Sequence, residues 1–117
     1  MKTILVVDDD KDVRTMMKFV LRKNGFKVLE AENGSLALSL ATAGKPDLII
    51  SDVMMDNVNG FMLYELLRKQ PVTADIPMIL ITGAAQGAGA WGVEKNVGYL
   101  QKPIGMSDLL AEVQKRL

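Results

Sequence analysis

Five polar residues stand where short apolar runs end. Asp8 and Asp9 follow Ile4-Leu5-Val6-Val7, and Asp52 closes Leu48-Ile49-Ile50-Ser51. Thr82 closes Met78-Ile79-Leu80-Ile81, and Lys102 comes just after Val97-Gly98-Tyr99-Leu100. Such runs read as buried strands. If the strands are parallel, their carboxyl ends share one edge, and these side chains converge on one crevice. Three carboxylates there suit a hard cation with oxygen ligands and retained waters, which describes Mg²⁺. At an effective dielectric near 20, two carboxylates about 4 Å apart repel by about 4 kcal/mol, and a cation relieves this. Lys102 offers an ammonium to an anion and Thr82 a hydroxyl. Together the groups make a phosphoryl site with a carboxylate nucleophile.

Helical segments separate most of the runs. Val13, Met16, Met17, Val20 and Leu21 repeat at the spacing of one apolar helix stripe, and Asn24-Gly25 stops that helix. Phe26–Ala31 is a more mixed strand, suited to a sheet edge. Asn33 or Ser35 can cap a second helix carrying Leu36, Leu40 and Ala41, which ends at Gly44. Pro46 is tolerable only at a strand's start, and the Asp52 strand begins after it. Gly60 introduces a third helix with Phe61, Leu63, Tyr64, Leu66 and Leu67, and Pro71 and Pro77 bracket a loop. Met106, Leu109, Leu110, Val113 and Leu117 form the stripe of a last helix. Alternating strands and helices imply a parallel sheet covered on both faces.

Composition narrows the function. With 117 residues the chain makes one domain, 1–117, able to bury roughly two thirds of its unfolded surface. It has no cysteine and no histidine, which excludes thiolate and imidazole metal sites, Ser-His-Asp triads and a phosphohistidine of its own. Lys+Arg and Asp+Glu are both 14, so the basic excess of a nucleic-acid binder is absent. No apolar run approaches the roughly 18 residues of a spanning helix. The expectation is a cytoplasmic domain with no direct nucleic-acid or membrane contact.

Val7-Asp8-Asp9-Asp10, Asp52-x-x-Met55-x-x-x-x-Gly60, Thr82-Gly83 and Tyr99-Leu100-x-Lys102-Pro103 resemble the receiver domain of two-component response regulators. The order and spacing match over nearly the whole chain. The resemblance implies a flavodoxin-like, doubly wound sheet of five parallel strands in the order 2-1-3-4-5. That order comes with the family, a chemotaxis member being a known instance of the topology. Asp52 is then the phosphoacceptor. Asp9 binds Mg²⁺ directly, Asp8 mainly through water, and the main-chain carbonyl of Met54 completes the metal shell. Lys102 pairs with a phosphoryl oxygen. Thr82 and Tyr99 act as switch residues, the first closing on the phosphoryl group and the second changing rotamer. The Lys102-Pro103 bond is expected to be cis. A sensor histidine kinase or histidine phosphotransfer protein would supply the phosphoryl group. An output protein or fused domain would read it, and the receiver would catalyse its own phosphorylation and dephosphorylation.

The chain also departs from the family pattern. Asp56 stands where proline is usual, and Asn59 where an acid is common. Lys102 follows Thr82 by 20 positions, about half a helical turn fewer than usual. The intervening segment is rich in glycine, each costing a helix about 1 kcal/mol relative to alanine. The helix expected there, fourth in the family's order, is therefore short or irregular. Gly87-x-Gly89-x-x-Gly92 matches a dinucleotide fingerprint but lacks its strand-turn-helix context. Trp91 is a local anchor or a partner contact. Asp10 is solvated or caps a helix, and Lys18 and Phe19 lie off the first helix's core stripe. Two other functions stay open: a receiver fold that signals without phosphorylation, and a metal-dependent phosphatase with an aspartyl nucleophile.

Overall fold

Nine elements follow one another among the described residues. The computed structural model describes residues 1–55, 58–83 and 97–117. Asp56, Trp91, the Gly87–Gly92 pattern and the expected short or irregular helix lie outside the described residues. The elements are β1 (Thr3–Val7), α1 (Lys11–Lys23), β2 (Lys27–Ala31), α2 (Gly34–Gly44), β3 (Leu48–Asp52), α3 (Gly60–Lys69), β4 (Met78–Thr82), β5 (Val97–Gln101) and α4 (Met106–Arg116).

Local signals set the helix ends. Asp10 caps α1 by accepting from the Asp12 and Val13 amides, so it is a cap. Asn33 accepts from Leu36 at the start of α2, and Asn59 from Met62 at the start of α3. Each such cap stabilises its helix by about 1 kcal/mol. At the other ends, Gly25 has φ 91°, and Lys45 takes the left-handed conformation with φ 44° and ψ 62°.

All strand pairs are parallel, in the order β2-β1-β3-β4-β5. Alternation along each strand sends side chains to opposite faces. Leu5, Val7, Ile49, Met78 and Leu80 pack with Ala37 and Ala41 of α2 and Leu63, Tyr64 and Leu67 of α3. Ile4, Val6, Leu48, Ile50, Ile79 and Ile81 pack with Met17 and Leu21 of α1 and Leu109 and Val113 of α4. Full burial of such side chains contributes about 1.5–3 kcal/mol each.

Four apolar residues named for the helices, Met16, Leu36, Leu66 and Leu117, are exposed. Met16 is 53% exposed, because burial of α1 centres on Met17 and Leu21 and the preceding residue is turned about 100° away. Leu36 is exposed because the small residues Ala37 and Ala41 form the inner face of α2. Leu117 is exposed as the terminal residue beyond α4.

Strand order reverses between β1 and β3, both of which pair with neighbours on either side. At such a reversal the flanking connections leave toward opposite faces, opening a crevice past the carboxyl ends. Asp8 and Asp52 stand at that point.

Candidate functional site

The register delivers the acidic groups together. Val7 of β1 lies opposite Ser51 of β3, and Asp52 opposite Ile81 of β4. Carboxylate oxygens of Asp8, Asp9 and Asp52 all lie within 4.8 Å of one another. Asp8 and Asp52 are buried, whereas Asp9 is exposed at the mouth. Buried Thr82 ends β4, and its carbonyl accepts the Lys102 amide at 2.9 Å, carrying the chain from β5 over the same edge. The Lys102-Pro103 peptide is cis.

Asp52 is only 2% exposed, yet both of its oxygens are engaged. Lys102 Nζ donates to Oδ2 at 2.9 Å, and the Met54 amide donates to Oδ1 at 3.2 Å. Burial pulls the Lys102 ammonium toward neutrality. The hydrogen bond and charge of Asp52, with Asp8 and Asp9 behind it, outweigh this and hold its pKa above the ordinary lysine value.

Asp8 is in a different position. Its Oδ1 accepts the Asp10 amide at 2.9 Å, while its Oδ2 is buried and has no hydrogen-bond partner among the described residues. Burial raises its pKa, the Asp10 amide opposes this, and the Asp52 charge adds to the rise against Lys102. A buried carboxylate oxygen with no donor among the described residues, beside two further carboxylates, suits a cation. Hard oxygen donors of this kind fit Mg²⁺.

The structure therefore brings Asp8, Asp9, Asp52 and Lys102 into one cluster and sets Thr82 on the same edge. Met54, whose side chain is largely exposed, adjoins the cluster through its backbone. Tyr99 lies within β5, half-buried against the core layer of α2 and α3. One supporting residue was missed from sequence. Arg14 donates to the Asp8 carbonyl at 2.6 Å and also pairs with Glu30 at 3.3 Å, linking α1, β2 and the site. Its position on the sheet-side border of α1 was the available signal, and residue spacing alone does not identify its partners.

Comparisons with known proteins place the fold in a family. The family model for the response regulator receiver domain matches residues 4–114. The chain is similar to Protein PilH of Pseudomonas aeruginosa, 36% identical over 115 residues that cover 97% of this chain and 95% of PilH. It is 35% identical to the phosphate regulon transcriptional regulatory protein PhoB of the same species, spanning 97% of this chain but 50% of PhoB. Among solved structures, the chemotaxis protein CheY4 of Vibrio cholerae superposes with a TM-score of 0.91 at 30% identity, covering 100% of this chain and 99% of CheY4. A parallel sheet whose edge gathers three carboxylates and a lysine defines a receiver-type fold and site. The chain belongs to the response regulator receiver domain family of two-component systems.

Proposed function

We propose that residues 1–117 act as a phosphoacceptor module in a phosphorelay, with Asp52 as the acceptor. The supporting observation is the clustering of buried Asp52 with Asp8 and Asp9 while it holds Lys102 at 2.9 Å. In this reading an Asp52 carboxylate oxygen attacks the phosphorus of a phosphohistidine on a kinase or phosphotransfer protein. The P–O bond forms as the P–N bond breaks, and the electron pair leaves on the imidazole nitrogen. Lys102 turns its ammonium to the transferred oxygens, where negative charge must be balanced. Thr82 donates its hydroxyl to another phosphoryl oxygen, and Tyr99 moves with it, shifting a two-state equilibrium. Asp8, Asp9, Asp52 and the Met54 carbonyl would hold Mg²⁺, which when bound offsets the negative charge of the site and of the phosphoryl group.

A groove lined by Val13, Met16, Met17, Pro103, Ile104 and Met106 adjoins Asp10 and Lys102. It gives a phosphohistidine-bearing partner an apolar surface beside the site. The output is then a separate protein or a fused domain. The reading puts the chain in the cytoplasm, with the kinase domains that serve such relays. Among the described residues no helix is long and apolar enough to cross a membrane.

The test is incubation with a small phosphodonor such as acetyl phosphate, with and without Mg²⁺. A Mg²⁺-dependent, acid-stable and base-labile adduct on Asp52, absent from Asp52→Asn, supports the proposal. No adduct favours a receiver that signals by contact alone. Many turnovers of an external phosphomonoester per chain would make it a phosphatase instead.

A further inference from the structure

We infer that Gly34 is a positioning residue for the loop after Asp52. By carrying no side chain it lets the start of α2 seat directly against Val58, and that contact sets how Gly60, two residues further on, rests on the end of β3 beside Asp52 and Met54. A Cβ at Gly34 would stand 2.3 Å from the Val58 carbonyl oxygen, 2.6 Å from its Cβ and 2.7 Å from its Cγ1. Ordinary contact begins near 3.4 Å, so a methyl group there would force a displacement of about 1 Å. The nearest atom belongs to the backbone, so no rotamer change relieves the clash and the chain itself must shift. The glycine at the other end of α2 makes the contrast. A Cβ on Gly44 would meet only Leu29 Cδ1, at 3.4 Å.

The near end of the loop is also held by a glycine. A Cβ on Gly60 would lie 2.7 Å from the Asp52 carbonyl oxygen and 2.9 Å from Val53 Cα, and the Gly60 amide donates to the Val53 carbonyl at 3.1 Å. The strand end is thus braced at Gly60, and Val58, two residues before Gly60, is braced at Gly34. At that strand end the Met54 amide holds Asp52 Oδ1. Movement at Val58 therefore reaches Asp52, and with it Met54, through the seat of Gly60 on the end of β3. This inference rests on reading Asp8, Asp9, Asp52 and Met54 as the cation site. Mg²⁺ demands near-ideal octahedral geometry, so a displacement of this size registers as lost affinity. Residues that orient metal ligands change affinity by about 10–100-fold when altered.

The experiment is Mg²⁺ titration by calorimetry on the unaltered chain, Gly34→Ala, Gly44→Ala, Val58→Ala and Val113→Ala. Gly34→Ala is expected to weaken Mg²⁺ by about tenfold. Val58→Ala, which removes Cγ1 from the contact but keeps the carbonyl oxygen and Cβ, should weaken it by a smaller factor and decides the matter if Gly34→Ala fails to fold. Gly44→Ala should leave affinity unchanged. Val113→Ala, buried on the opposite face of the sheet, should lower the melting temperature yet keep affinity within about twofold. A merely structural role for Gly34 would behave like Val113. If the unaltered chain binds no Mg²⁺, the functional reading fails and this inference with it. If it binds but Gly34→Ala and Val58→Ala both match it, only the role of Gly34 is refuted.

Discussion

Asp8→Asn isolates the electrostatics of the site. The three carboxylates lie within 4.8 Å of one another, and at an effective dielectric near 20 a pair at that distance repels by about 3.5 kcal/mol. Lys102 returns part of this through its pairing with Asp52. Burial of Asp8 adds a desolvation penalty that a neutral amide mostly avoids. The substitution keeps an oxygen for the Asp10 amide, so the hydrogen bond at 2.9 Å can persist. The net expectation is a gain of about 1–2 kcal/mol in metal-free stability at neutral pH, or roughly 5 °C in Tm. Urea unfolding in EDTA measures it. Repeating the titration at ten times the parent's Kd for Mg²⁺ narrows or cancels the advantage. The unaltered chain gains about 1.4 kcal/mol at ten times its Kd, and the variant, lacking one ligand, gains much less. The pH dependence follows from the raised pKa of Asp8. Its penalty is complete above the folded value and shrinks as pH falls toward the ordinary carboxylate range, so variant and parent should converge in acid. A variant less stable than its parent in EDTA at pH 7, or an advantage that grows on acidification, would refute the reasoning.

Lys102→Ala leaves Asp52 buried with only the Met54 amide, and should lower metal-free stability by about 1 kcal/mol, since the lysine end is 39% exposed and partly screened. The same variant should bind Mg²⁺ more tightly because a competing cation is gone; calorimetry showing weaker binding would contradict the pairing. Lys45→Gly removes a side chain from a left-handed residue at the end of α2 and should stabilise by about 0.5–1 kcal/mol in chemical denaturation. Glu30 is held below the usual glutamate pKa by its hydrogen bond to Lys18 at 2.6 Å, against partial burial, with Arg14 assisting. Its contribution, about 0.5–1 kcal/mol, should be complete above the ordinary glutamate pKa and fade as pH falls through the lower folded value. Glu30→Gln should therefore lower the urea midpoint at pH 7 and match the parent in strong acid.

Much of the fold was legible because its signals are local. Continuous apolar runs marked β1, β3 and β4, and the mixed run at Phe26–Ala31 marked the edge strand β2. Asn-Gly at 24–25 ended α1 as expected. Stripe width was less legible, as Met16 and Leu36 show. An apolar residue at the border of a stripe is buried only if a neighbouring element reaches it. The helix and the departures expected within residues 84–96 are not addressed by the described residues. The strand order could be named only through the family resemblance, because residue pattern does not encode which strand crosses over which.

What the sequence determined by itself is the inventory of the site: three carboxylates, a lysine and a hydroxyl at the ends of strands that run the same way, and so on one edge. Only the tertiary structure decided how those groups differ. It buried Asp8 and left Asp9 open, gave Asp52 both a lysine and an amide, and left one Asp8 oxygen without a donor among the described residues. It also pressed Gly34 against Val58. The physical reason is that strand identity is written within a few neighbouring residues. Charge, burial and contact depend on distances between segments far apart in the chain, which only packing sets.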